Sequence, residues 1–194
     1  MMALVMTNPA RDRFEEIDRA TLVRCKAGDP IAFRAFVVRY ERAVFALLSR
    51  VLGRGAHVED LAQETFLRAY RAFPSFDVDA PSRPSAWLLT IATRLALDAR
   101  KRKRVEPFDA DAIDTATPEI ETARRALGRA IEAAAAELPD DQRAAFVLAE
   151  FHGASIAEIA AALDVPEATA KTRLFRAREK MRARLQKEKE ERDG

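Results

Sequence analysis

"SIAEIAAALDVPEATAKTRLFRAREKMRARL", residues 155–185, decides how the rest of the chain is read. Ser155 followed three residues later by Glu158 is a capping box, in which each side chain satisfies an orphan N–H group at a helix start. Pro166 suits the first turn of a second helix, where a missing N–H costs little. Ile156, Ile159, Ala160, Leu163 and Val165 turn inward from the first helix and its exit. On the second helix Ala170, Leu174, Ala177, Met181 and Leu185 recur at helical spacing, so two apolar stripes meet across a short turn. This is helix-turn-helix patterning. Opposite the second stripe lie Thr172, Phe175, Arg176 and Glu179. Lys171, Arg178 and Arg182 flank them on one edge, Arg173 and Lys180 on the other. Base-reading side chains at the centre, with phosphate partners at both margins, suit a helix lying in a major groove. A merely solvated helix gains nothing from an outward phenylalanine.

The charge of the whole chain says little about partners, since 33 Lys and Arg oppose 31 Asp and Glu. Its distribution says more. Lys171 to Lys187 carries eight bases against one acid, and Pro84 to Arg104 six against one. Between them Val105 to Ala123 has six acids and no base. Two basic surfaces separated by an acidic connector follow. A chain of 194 residues can bury two small cores. Strand-like alternation is absent, so the predicted fold is all-α: two small helical domains joined by an acidic flexible linker. The boundaries predicted are a flexible N-terminal tail at 1–17, a first domain at 18–104, the linker at 105–118, a second domain at 119–187 and a charged tail at 188–194.

Within the first domain, Gly28-Asp29-Pro30 and Gly53 with Gly55 separate two helices from a third that stops near Pro74. A loop holding Pro74, Pro81 and Pro84 precedes a fourth helix from about Ser85 to Arg104. In the second domain, helices are expected near 119–136, 140–151, 155–163 and 167–187. The third helix buries Val58, Leu61, Ala62, Thr65, Ala69, Ala72 and Phe73 on one side. Its other side carries Asp60, Gln63, Glu64, Leu67 and Arg71. A solvated face seldom needs two acids, an amide and a bare leucine in one row, which leaves open what this second face is for. The fourth helix sets Leu88, Ile91, Ala92, Leu95 and Ala99 inward, with Thr90, Arg94, Leu97, Lys101 and Arg104 on the far side and Trp87 at its edge. A cationic face with an aromatic beside a loop suits single-stranded nucleic acid, where stacking contributes about 1–3 kcal/mol per base.

Catalysis finds no support. There is no glycine-rich phosphate loop, and the two histidines, His57 and His152, lack neighbours at metal-ligand spacing. No catalytic residue, cofactor or metal is expected. The single Cys25 excludes an internal disulfide, suits a reducing cytoplasm and reads as a small apolar filler. No run approaches the roughly 18 apolar residues of a membrane span. The opening "MMALVMTNPARDRF" has no basic segment ahead of its apolar stretch, so it makes a poor signal peptide. A soluble, cytoplasmic protein without direct membrane insertion is expected.

Three segments together carry a resemblance: "EDLAQETFLRAYRAF" (59–73), "AWLLTIATRLALDARKRKR" (86–104) and "LPDDQRAAFVLAEFHGASIAEIAAALDVPEATAKTRLFRARE" (138–179). Their order and spacing resemble the extracytoplasmic-function, or group IV, sigma factors of bacterial RNA polymerase over roughly residues 18–187. The resemblance implies that 18–104 is the domain called sigma-two, which opens the −10 element, and 119–187 is sigma-four, which reads the −35 element. It implies that Asp60, Gln63, Glu64, Phe66, Leu67 and Tyr70 dock on the clamp helices of the polymerase largest subunit. The helical wheel exposes Asp60, Gln63, Glu64 and Leu67 independently but turns Phe66 towards the core. By the same resemblance Trp87, Thr90, Arg94, Lys101 and Arg104 face the single-stranded −10 DNA, and the Pro74–Pro84 loop resembles one that holds a flipped-out base. Lys171, Thr172, Arg173, Phe175, Arg176 and Arg178 then face the duplex −35 DNA. Further partners implied are the flap of the second-largest subunit and an anti-sigma factor, in some members membrane-bound. Two departures bear on promoter choice: Arg94 stands where the family usually has Asn, and "EATAKTR" replaces a "GTVKSR" type of start.

The implied function is promoter-specific initiation by core polymerase, with no catalysis by this chain. Two rivals differ in class. A stand-alone helix-turn-helix regulator would bind duplex operators without polymerase and would have no use for the 59–71 docking face. A helical interaction protein with no nucleic acid would leave both basic faces unexplained.

Overall fold

A computed structural model describes residues 16–53, 55–80, 82–105 and 131–193, and the described residues contain helices and no strand. Helix α1 (Arg19–Lys26) starts where the Asp18 carboxylate accepts the Thr21 N–H at 2.9 Å. Helix α2 (Pro30–Leu52) starts with Pro30 in its first turn and the Asp29 carboxylate on the N–H groups of Ile31 and Ala32. Both caps satisfy donors that a helix start leaves open. Helix α3 (Ala56–Ala72) runs into a short 3-10 turn, Phe73–Ser75, at Pro74. Helix α4 (Pro84–Val105) follows the proline loop. Residues 131–136 form the described part of α5. Then come α6 (Asp140–His152), α7 (Ile156–Leu163) and α8 (Glu167–Asp193).

The turns of the second half work as the sequence implies. Gly153 ends α6 at φ 62°, a left-handed conformation that glycine adopts without strain. Asp164 takes the same role after α7 at φ 53°, and the following Val165 N–H bonds back to Ala160 at 3.1 Å. Asp tolerates that region better than most side chains. The capping box at α7 is complete: Glu158 N–H donates to Ser155 Oγ at 3.2 Å, and Ser155 N–H to Glu158 Oε2 at 2.7 Å.

Predicted elements and observed ones differ at three places. The expected frayed tail ends two residues early, because Glu16 and Ile17 are built into the fold. Ile17 N–H donates to Tyr40 Oη at 3.0 Å, and Tyr40 Oη donates to Glu16 Oε2 at 2.7 Å. Glu16 also takes the Ser85 hydroxyl and, at 3.2 Å, the Ser85 N–H, so it caps α4 from 69 residues away. The acidic linker begins one residue late, since Val105 closes α4; its remainder, with the expected first turns of the 119–136 helix, lies outside the described residues. The charged tail expected at 188–194 continues α8 to Asp193, as no proline or glycine interrupts it before Gly194.

One buried cluster runs from Leu22 to Leu174 and so joins the two halves. Its centre in the first half is aromatic. Phe36 and Phe73 meet edge-on at 5.0 Å between ring centres, and Phe73 and Phe76 lie 5.3 and 4.7 Å from Trp87. Such pairs add about 0.5–1.5 kcal/mol beyond area burial. A second cluster packs Ala134, Ala135 and Leu138 of the α5 end against Ala177 and Met181 of α8. Between the halves, α2 lies on α6, and α4 on α6 and α7.

Candidate nucleic-acid interface

The buried stripe of α8 is as expected, with Ala170, Leu174, Ala177 and Met181 buried and Leu185 half-buried. Turning those residues inward puts Thr172, Phe175 and Arg176 on the outside. Phe175 is 63% exposed, more than an isolated core-type ring warrants. Lys171, Thr172, Arg176 and Arg178 are exposed beside it. Their surroundings separate the cations. Arg178 lies 2.7 Å from Glu150, and half-buried Arg173 lies 2.9 Å from Asp141 on α6. Thr172 donates to its own helix at Ala168. Lys171 and Arg176 make no ion pair among the described residues, so they are the cations already free to meet an anion. A shallow cleft lined by Asp141, Gln142, Thr169, Thr172, Arg173 and Arg176 lies where the starts of α6 and α8 meet.

On α3 the two faces separate as the wheel requires. Val58, Ala62, Thr65, Ala69 and Phe73 are buried, and Thr65 satisfies its hydroxyl on the Leu61 carbonyl at 2.7 Å. Asp60 and Gln63 are exposed, Leu67 is 49% exposed and Tyr70 46%. Glu64 is half-buried and holds Arg68 one turn on at 2.7 Å. Phe66 is half-buried against the core, in line with its angular position. The edge of the Tyr70 ring meets Phe33 at 4.9 Å, which steadies a partly exposed aromatic. An apolar pair bordered by Asp60, Gln63, Glu64, Arg68 and Arg71 resembles the centre and polar rim of a protein interface.

The third set is placed differently. Trp87 is half-buried in the aromatic cluster rather than presented from a free edge, and Thr90 is half-buried with its hydroxyl on the Ala86 carbonyl at 2.9 Å. Arg94 reaches across to α7, where its Nη2 donates to the Ala161 carbonyl at 2.9 Å. Leu97 packs against the shared core, Lys101 is exposed, and Arg104 lies on the last turn of α4. The expected open far side of α4 is therefore partly an internal contact, because the second domain lies on it.

Sequence reading missed the polar groups that join the halves. Arg143 is buried and donates to the carbonyls of Ala135 at 2.8 Å, Leu138 at 3.2 Å and Ala136, all near the end of α5, and to Val51 at 3.0 Å. Arg100 meets Asp140, and the Arg50 guanidinium lies 4.2 Å over the Phe151 ring. Arg83 grips Glu158 through two bonds of 3.0 Å. Burial raises the Glu158 carboxyl, but the hydrogen bonds from Arg83 and Ser155 outweigh it and hold the group below its ordinary value. No local spacing or pattern around Arg50, Arg83, Arg100 or Arg143 marks these contacts in the sequence.

Taken together, an exposed recognition helix, a second basic helix and a separate docking face define a two-domain helical DNA-binding protein built to work with a protein partner. Comparison with known proteins gives the family. The family descriptions "Sigma-70 region 2" and "Sigma-70, region 4" match residues 36–105 and 128–181. The chain is 37% identical over 187 residues to the ECF RNA polymerase sigma-E factor of Salmonella typhimurium, covering 87% of this chain and 94% of that one. It is 34% identical over 186 residues to the RNA polymerase sigma-H factor of Pseudomonas aeruginosa, covering 89% and 95%. Among solved structures it resembles CnrH in complex with the cytosolic domain of CnrY, with TM-score 0.64, 26% identity and coverage of 87% and 97%. It also resembles the sigma factor RpoE of Bartonella quintana in complex with the anti-sigma factor NepR, with TM-score 0.62, 26% identity and coverage of 79% and 96%. The chain belongs to the extracytoplasmic-function sigma factors of RNA polymerase. It is an alternative sigma factor that directs transcription initiation, and it is not an enzyme.

Proposed function

We propose that residues 18–104 form the polymerase-binding and −10-reading domain and residues 119–187 the −35-reading domain, joined by the acidic segment 105–118. In this reading the outer face of α3 docks on the clamp helices of the largest subunit through Asp60, Gln63, Glu64, Leu67 and Tyr70, with Phe66 supporting them from behind. The α8 face reads the −35 duplex, with Thr172, Phe175 and Arg176 over the bases and Lys171, Arg173 and Arg178 towards the phosphates. Trp87, Thr90, Arg94, Lys101 and Arg104 serve the melted −10 strand. The flap of the second-largest subunit steadies the second domain. An anti-sigma factor regulates the chain, a reading supported by the company in which its structural neighbours were solved. Among the described residues no helix is long and apolar enough to cross a membrane, and action in the cytoplasm follows from the need to meet polymerase and DNA.

The single observation that carries this reading is the half-exposed Leu67 and Tyr70 pair on the polar outer face of α3, a face that binding DNA alone would not require. Reversing Asp60 to Lys tests it. Asp60 is exposed, and such substitutions usually change stability by under about 0.5 kcal/mol. Competition of the variant with the parent for core polymerase should show weaker assembly at unchanged melting temperature. Equal competition would remove α3 from the polymerase interface.

A further inference from the structure

A cavity of about 670 Å³ lies where α2, α4, α5 and α6 meet, and no residue assigned above to polymerase or promoter lines it. Its volume falls among those of pockets that hold small organic molecules, about 300–1,000 Å³. Phe45 from α2, Ile131 from α5, and Val147 and Phe151 from α6 give it apolar walls. Arg50, Arg100 and Arg143 also line it, against the carboxylate of Glu132, so the lining is net positive. Two of these arginines are committed elsewhere. Arg100 meets Asp140 and donates to the Val51 carbonyl at 3.3 Å, and Arg143 serves its four carbonyls. Arg50 differs. Its Nη1 donates to the Ala46 carbonyl at 3.1 Å and its guanidinium stacks 4.2 Å from the Phe151 ring centre, which fixes the group in place. Its Nε is buried and has no hydrogen-bond partner among the described residues. A buried donor left unpaired is costly, more so on a charged group, and a carboxylate is the acceptor that satisfies a guanidinium best.

We propose that this cavity is a binding site for a small organic carboxylate, its apolar body against Phe45, Ile131 and Phe151 and its charge on Arg50 Nε. A cationic ligand would meet the net positive lining. A neutral one would leave the Arg50 donor unpaired. A dianion such as a phosphate ester would need more uncommitted donors than Arg50 supplies. Residues from both halves form the walls, so a bound carboxylate stabilises the folded chain by mass action and makes its stability respond to ligand concentration. The site is independent of what α3, α4 and α8 bind.

The test uses the full chain and two probes of one shape, 2-naphthoate and the uncharged 2-naphthalenemethanol, followed by isothermal titration calorimetry and by melting temperature. The parent should bind a single naphthoate with a Kd of about 1 mM or tighter. It should bind the alcohol about tenfold or more weakly, because the alcohol lacks the charged acceptor. Its melting temperature should rise with naphthoate concentration. R50M keeps an apolar stem and removes the donor, so naphthoate should bind it no better than the alcohol does. Ala136 is exposed on the rim, and its backbone carbonyl is what meets Arg143. A136W should therefore fold, narrow the cavity and weaken both probes by about tenfold. If R50M does not fold, A136W decides alone, and full naphthoate affinity in it would overturn the proposal. So would a parent that binds neither probe, or both equally. Naphthoate binding that survives both variants would place the probe on another basic surface, such as that around Phe175, and would overturn it too.

Discussion

Replacing Arg143 with Met tests whether buried arginine, rather than apolar contact alone, joins the two halves. The side chain fills much the same length, so the loss is chiefly one of hydrogen bonds. Arg143 serves four carbonyls, three from the end of α5 and one, Val51, from the end of α2. Val51 keeps a partner, because Arg100 Nη1 donates to it at 3.3 Å. Ala135 likewise keeps the Leu138 N–H at 3.1 Å, but Ala136 and Leu138 lose the Arg143 bonds just where the helix ends and successive N–H donors run out. An unsatisfied buried acceptor costs about 1–3 kcal/mol. The cavity of about 670 Å³ beside Arg143, bordered by Phe45, Ile131 and Phe151, admits water that recovers part of this. The net expectation is a loss of about 2–4 kcal/mol, near the upper range for single substitutions. For a chain of this size that lowers the melting temperature by roughly 4–16 °C, since each kcal/mol shifts it by about 2–4 °C. Urea unfolding followed by far-ultraviolet circular dichroism measures it directly. A change below about 1 kcal/mol at an unchanged slope would show that the arginine's bonds are readily replaced, and would refute the argument.

One contrast between Arg176 on α8 and Asp141 on α6, and one prediction on pH, follow from the same geometry. Arg176→Ala should cost about 1–3 kcal/mol in promoter binding and relax preference at one −35 position if it reads a base. Asp141→Asn should instead release Arg173, tighten binding to all duplexes alike and steepen the salt dependence by about one unit. Holoenzyme binding across a randomised −35 library separates them, and matching profiles would dissolve the distinction between reading and positioning. Burial first, and then the charges of Arg50 and Arg83, bring His152 from 6.5 to about 4. Between those values the unfolded chain takes up a proton that the folded chain refuses, so stability should fall as pH drops from about 6.5 towards 4. Glu158 adds its own loss only lower down, as its folded value lies below 4.5. His152→Gln should flatten the upper part of that slope in urea midpoints, and an unaltered slope would assign it to other groups.

How far the sequence could be read depended on whether a feature was local. The α7–α8 motif was legible because its capping box, its turn and its two stripes are set by residues within one short segment, and the left-handed turn at Asp164 only refined it. The split faces of α3 were legible for the same reason, down to the inward lean of Phe66. What escaped was long-range and polar. Glu16 caps α4 across 69 residues, and Arg83 meets Glu158 across 75. Neither has a period or spacing that a helical wheel can register. The open face expected for α4 is covered in part for a related reason, with Arg94 and Lys101 still exposed. A wheel finds the side turned away from one core, but it does not know that a second domain will rest there. The extra turns at the end of α8 were hidden by composition, since a charge-balanced tail reads alike whether it frays or continues a helix.

As a sigma factor, the chain should read promoters only as part of a polymerase. The most direct measurement is selection of DNA from a random library by the purified chain, by core polymerase and by both together, followed by permanganate probing of the selected sequences. Only the combination should enrich two separated sequence blocks and render thymines in the downstream block reactive, while the chain alone should bind weakly and without preference. Enrichment of the same sequence by the chain alone, at an affinity that core polymerase does not alter, would contradict it and establish a stand-alone regulator instead.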